Sequence, residues 1–137
     1  MTREDVLSYV RGRFDTVPDA PFADSPDSLV LRHAGGGCWY GLMAIVERSR
    51  LGLTGNGMAN ILNVKCDPLI VDALCTQPGF VRAWHMNKTH WLTIVLDDVA
   101  DVEQVEWLIS ESHRLTGAAR TNKKKVTIGQ KDDSPNM

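Results

Sequence analysis

Between residues 28 and 65 the chain carries three apolar runs punctuated by glycine, and they leave little choice of architecture. Ser28 to His33 and Cys38 to Val46 are separated only by a turn at Gly35-Gly36-Gly37. Parallel neighbours need a crossover of a dozen or more residues, so runs this close pair antiparallel. Glu47 to Ala59, with Arg48, Arg50, Gly52, Gly55 and Gly57, reads as a long, mobile hairpin loop. Asn60 to Lys65 then returns as a third strand, with Ile61, Leu62 and Val64 apolar.

Helical signals bracket these strands. Val6, Leu7, Val10 and Phe14 share one face of a 3.6-residue period, which predicts a helix over Arg3 to Phe14 capped by Thr2. Pro18 to Asp27 carries three prolines and reads as an ordered loop. Asp67 followed by Pro68 marks a helix start, because proline at the first helical position lacks an N–H that would go unbonded anyway. Gln77-Pro78-Gly79 ends that helix. Phe80 to His85 and His90 to Leu96 form a hairpin joined by Met86-Asn87-Lys88-Thr89. Asp101 and Gln104 resemble a capping box before a last helix, whose stripe is Val102, Val105, Leu108, Ile109, Ser112 and Leu115. Gly117 is its natural stop. The expected order is α-βββ-α-ββ-α, an α+β domain over residues 1–117 with an antiparallel sheet and helices packed on one face. Residues 118–137 lack apolar periodicity and read as a basic, disordered tail.

Charge bears on partners. Residues 117–137 hold five cations against two carboxylates, net +3, while the whole chain carries −2, which leaves −5 for residues 1–116. An acidic body is a poor start for sequence-independent contact with phosphate backbones, so any DNA contact must come from a local patch or the tail. No apolar run approaches the roughly 20 residues of a membrane span. The N-terminus lacks the apolar segment of a signal peptide, and the odd trio Cys38, Cys66 and Cys75 has no C-x-x-C spacing. A cytoplasmic chain with reduced thiols is expected.

Val64-Lys65-Cys66-Asp67-Pro68 and His85-Met86-Asn87-Lys88-Thr89-His90-Trp91 together carry a resemblance. Over about residues 3–117 the chain resembles MmcQ/YjbR-like proteins, with Lys65, Cys66, Asp67, Pro68, His85, Met86, Asn87, Lys88, His90 and Trp91 matching the paired signature. Pro21-Phe22, Asp27 to Val30 and the glycine turn at 35–37 add to it. The resemblance implies a small α+β domain related in shape to CyaY-like folds, with a double-wing arrangement proposed to bind DNA. Trp84 stands where the family usually has tyrosine, and the Glu47–Ala59 loop is longer than its usual first hairpin.

The chemistry-bearing residues gather in Trp84 to Trp91. Around a four-residue loop, His85 and His90 would lie opposite each other with Cβ atoms about 5 Å apart. Two histidines fall short of the three protein ligands a zinc site needs, so neither metal nor cofactor is expected. A structural role is the plainer reading, with Asn87 and Lys88 shaping the turn. As a wing tip, Lys88 can meet a phosphate, Asn87 a base edge, and Trp84 can stack on a base. Arg48 and Arg50 supply the second wing, Lys65 and Arg82 add charge near the sheet, and Lys123, Lys124 and Lys125 extend it into the tail. Cys66 sits where a helix N-terminus favours a thiolate, but no base partner is evident, and the cysteines read as small buried hydrophobes. His113 reads as a partly buried structural residue. No catalytic triad, phosphate-cradling glycine motif or carboxylate pair is found. The expectation is a non-enzymatic domain that binds DNA through two hairpins and a basic tail. The alternative is a module that binds a small molecule or protein in a groove near Trp84, His85 and His90.

Overall fold

A computed structural model describes residues 1–35 and 37–125, with side chains described through Gly117. The elements are α1 (Arg3–Phe14), β1 (Leu29–Arg32), β2 (Trp39–Glu47), a 3₁₀ turn (Arg48–Leu51), β3 (Met58–Lys65), α2 (Pro68–Leu74), β4 (Phe80–Arg82), β5 (Trp91–Val95) and α3 (Val102–Lys125). The strands form one antiparallel sheet in the order β1-β2-β3-β5-β4. Among the described residues no helix is long and apolar enough to cross a membrane.

The helix starts follow their caps. The Thr2 hydroxyl accepts from the Asp5 N–H while the Asp5 carboxylate accepts from the Thr2 N–H. Asp67 accepts from the Leu69 N–H, and Asp101 from the Gln104 N–H. The strands, 3 to 9 residues long, place alternate side chains on two faces. Leu31, Met43, Leu62, Val64, Leu92, Ile94 and Phe80 face the three helices and meet Val6, Val10, Val71, Leu74, Val105, Leu108 and Ile109. Burying each such side chain is worth roughly 1.5–3 kcal/mol. The second face holds Ala44, Val46, Ala59, Ile61 and Val95, with Leu51, Leu53, Val81 and Trp84 packed on it in place of a helix.

Two irregularities shape one end of the sheet. The β1–β2 register shifts between Leu31, opposite Gly41, and Arg32, opposite Trp39, leaving Tyr40 as the extra residue of a bulge. The bulge turns Tyr40 into the helical core, where its ring meets Phe14, His33 and His113. Beside it the Ser112 hydroxyl of α3 accepts from the Lys65 N–H at 2.8 Å and donates to the Tyr40 carbonyl at 2.6 Å. In the β2–β3 register Tyr40 and Lys65 are the next facing pair after Gly41 and Val64. A helix side chain thus occupies the place of a sheet rung.

The loop between β2 and β3 is ordered, against the sequence expectation. Arg48 donates to the Thr54 carbonyl and grips Asp98 with two N–H groups, and its own N–H bonds the Gly57 carbonyl. The stripe of α3 also differs at its ends. Val102 is exposed, and the buried positions are Val105, Leu108, Ile109, Ser112 and Thr116. Nor does α3 stop at Gly117; it continues to Lys125, so residues 118–125 are helical along the backbone. Gly117 serves close packing instead, because a Cβ there would lie 3.1 Å from His33 Cε1. Residues 126–137, the remainder of the expected tail, lie outside the described residues.

His113 stacks on Phe14 with ring centroids 3.8 Å apart, and the His33 ring is 4.0 Å away. Burial, and then the nearby Arg13 charge, hold the His113 imidazole below its usual 6.5. The folded chain therefore binds this proton more weakly than the unfolded chain, and protonation favours unfolding. The expected outcome is full stability above about pH 6.5, lost progressively as pH falls below it. His113→Gln flattens that slope in urea titrations at pH 7 and pH 5.5; an unchanged slope contradicts the assignment. Ser112→Ala leaves a buried N–H and C=O without their partner. It lowers the urea midpoint by an amount equivalent to about 1–3 kcal/mol at unchanged m.

Candidate functional site

A buried ring of hydrogen bonds determines where the chain runs after β4. Asn63 on β3 and Thr93 on β5 are both fully buried on the second face of the sheet. The Thr93 hydroxyl donates to Asn63 Oδ1, the Trp84 N–H donates to Thr93 Oγ1 at 2.8 Å, and Asn63 Nδ2 donates to the Trp84 carbonyl at 3.0 Å. Trp84 is thereby drawn over the second face. Its indole is half-buried and stacks on the His85 ring with centroids 3.9 Å apart and planes within 10°.

The hairpin expected here is shorter in its strands and longer in its loop. β4 ends at Arg82, opposite Leu92, and residues 83–90 form the connection. His85 takes a left-handed backbone conformation, φ 57°. It is not paired with His90: the β4–β5 register, with Arg82 opposite Leu92, would set His85 across from Thr89, and the ring of bonds takes the chain out of the ladder already at Trp84. His90 is exposed, and its N–H is held by Asn87. Among the described residues no three His, Cys, Asp or Glu groups come together as a metal site.

The side chains expected to meet nucleic acid are largely engaged within the protein. Asn87 Oδ1 accepts from the Thr89 and His90 N–H groups, which fixes the turn and removes the acceptor a base edge would need. Lys88 Nζ donates to the Ala83 carbonyl at 2.8 Å rather than extending from the tip. Arg48 is paired with Asp98, Arg50 with Glu47 at 3.7 Å, and Arg82 with Asp72 at 2.8 Å. Lys65 ends β3 opposite Trp91, while the Arg48 turn precedes the opposite end of that strand, about 20 Å away at 3.3 Å per residue. The expected cations therefore do not form one patch. The side chains of Lys123, Lys124 and Lys125 lie outside those described. Nor is Cys66 activated. Burial, with the Asp67 charge adding to it, pushes its thiol up to about 11, so the carboxylate and desolvation outweigh the helix start.

An open groove of about 840 Å³ does run beside this connection. Phe80 to Ala83 line it along β4, with Asp72, Cys75 and Thr76 from the end of α2 on one side and Arg50 and Leu51 from the 3₁₀ turn on another. Trp84, His85 and Lys88 complete it. Burial keeps the Cys75 thiol raised, so it adds a small apolar surface and not a thiolate. Of the three residues expected to line a groove, Trp84 and His85 border this one and His90 does not. Asn63 and Thr93, which hold its Trp84 wall, were not among the candidates. A polar residue at an inward position of an otherwise apolar strand was the available signal.

The sheet order, the helices on one face and the signature loop define an α+β domain of the YjbR type. The YjbR family model matches residues 13–115, and the chain belongs to that family. It is 39% identical over 116 residues to the Bacillus subtilis protein YyaQ, described as uncharacterized, covering 85% of this chain and 98% of that one. A crystal structure of a Pseudomonas syringae protein superposes with a TM-score of 0.81 at 33% identity, covering 85% of this chain and 99% of the other. Deinococcus radiodurans DR2400 shares the fold, with a TM-score of 0.65 at 22% identity over 99% of this chain and 95% of that one.

Thr93→Val removes the hydroxyl that serves both Asn63 and Trp84. The expected cost is about 1–3 kcal/mol of stability, since two buried polar groups lose a partner. Amide exchange at Trp84 and His85 accelerates while exchange in α3 keeps its rate. Uniform acceleration across the chain argues that the ring supports the whole fold and not this loop.

Proposed function

We propose that this YjbR-family domain is a binding module rather than an enzyme, and that its groove takes a ligand carrying negative charge beside a flat or apolar part. The observation that supports this is the groove itself. Three cations, Arg50, Arg82 and Lys88, line it around the stacked Trp84 and His85 rings, against the Asp72 carboxylate in the groove and the Glu47 carboxylate paired with Arg50. Cations in a concave surface next to low-dielectric walls attract anions more strongly than the same cations on a convex one. The stacked rings offer a face for an apolar portion. No nucleophile with an adjacent base lines the groove, which favours binding over catalysis.

The DNA-binding reading implied by the family resemblance needs cations free at two hairpin tips. Arg48 of the first hairpin is held by Asp98 across the fold, which weighs against that tip. The two readings separate in one experiment. Isotope-labelled full chain is titrated with indole-3-carboxylate and, in parallel, with a short DNA duplex at two salt concentrations. Carboxylate-induced amide shifts centred on Arg82, Trp84, His85 and Lys88, weakened several-fold by Arg82→Gln and by Lys88→Ala, are expected. If the carboxylate leaves those amides unmoved and the duplex shifts residues 48–57 and 86–89 with a steep salt dependence, the chain binds DNA through its loops.

A further inference from the structure

The sheet has two edges, β1 and β4, and the chain treats them differently. The outer edge of β1 is closed by the preceding loop, where the Asp19 N–H bonds the Val30 carbonyl and the Val30 N–H bonds the Asp19 carbonyl. Among the described residues no strand pairs with the outer edge of β4. The groove runs along that edge.

The register says which backbone groups face the groove. Val95 donates to the Gly79 carbonyl, and Val81 stands opposite Thr93, so the odd-numbered residues bond toward β5. The even-numbered Phe80 and Arg82 then direct their N–H and C=O outward. Phe80 bears this out, since its N–H turns back to the Gln77 carbonyl at 3.4 Å. The Phe80 carbonyl and the N–H and carbonyl of Arg82 are left facing the groove. An exposed strand edge is a template for an added strand, and its own polar groups supply the first bonds.

Resting on the binding reading above, we propose that the occupant of the groove is an extended acidic peptide segment of another protein, added as a sixth strand along β4. The three-residue edge spans about 10 Å, enough to pair with a segment of a few residues. Val81 and Leu51 provide apolar contact, and Arg50, Arg82 and Lys88 outnumber Asp72, so acidic side chains fit the walls. A second copy of this chain fits less well, because it would bring the same excess of cations against itself.

The probe is a capped peptide of six alternating glutamates and valines, added to the full-length labelled chain. Its counterparts are the same peptide with alternate backbone amides N-methylated, and a lysine–valine version. Binding is expected to shift residues 80–84, slow exchange of the Arg82 amide, and fall at least about tenfold with the N-methylated peptide. It falls similarly with Arg82→Glu, whose melting midpoint is checked for an intact fold, and is absent with the lysine peptide. Equal binding of the N-methylated peptide overturns the added strand, while indole-3-carboxylate binding at the same residues leaves the anion-binding groove standing. Failure of both probes at these residues removes both readings. A dimer in sedimentation whose Arg82 amide is already protected without peptide assigns the edge to a second copy instead.

Discussion

A three-membered ring of hydrogen bonds among Asn63, Thr93 and the Trp84 backbone holds this domain's distinctive region in place. Two polar side chains at zero exposure, in a sheet otherwise filled with Val, Ile and Leu, leave one satisfactory arrangement. Each donor and acceptor that loses its partner there costs about 1–3 kcal/mol. Mutually polarising bonds in a low-dielectric interior make the ring more than three independent contacts. Both the N–H and the carbonyl of Trp84 are held, so the peptide units on either side have little freedom. From that fixed point the rest follows: β4 ends after three residues, the indole covers the helix-free face, His85 enters the left-handed region, and a groove opens beside the edge strand.

The fold was largely legible because its signals are local. The Thr2 and Asp67 caps, the α1 periodicity and the short β1–β2 turn each depend on residues within a few positions of one another, and α1 and the antiparallel order come out as read. The family signature was legible too, and residues 13–115 match the family. What failed was set at long range. The expected pairing of His85 with His90 assumed a four-residue loop, which is one residue out of the β4–β5 register that sets Arg82 opposite Leu92. Asn63, twenty-one residues before Trp84, then takes the chain out of the ladder altogether. Arg48 reads as a free loop cation until its fold partner Asp98, fifty residues on, is known. Gly117 has the sequence mark of a helix stop, but the ring of His33 needs the space.

The charged groups express the same division between local pattern and tertiary placement. An acidic chain with scattered arginines reads as a surface of solvated ions. Folding instead sorts several into pairs, Arg48 with Asp98 and Arg82 with Asp72, and leaves the groove with more cations than carboxylates. Solvent-exposed pairs of this kind add little stability, typically 0–1 kcal/mol, and their value lies in orienting side chains. Arg82 is held against α2 while its backbone faces outward. The helices cover one face of the sheet, and the 3₁₀ turn and Trp84 cover the other.

The Ser112 hydroxyl between the Tyr40 carbonyl and the Lys65 N–H makes α3 part of the sheet's own hydrogen bonding. Those two backbone groups stand across from each other at the end of the β2–β3 ladder, where two strands would ordinarily bond directly. Here each bonds the helix instead, through one hydroxyl that accepts from one strand and donates to the other. The position of α3 is thereby tied to the spacing of β2 and β3, so that a shift of the helix along its axis would be felt as a change in the end of the ladder.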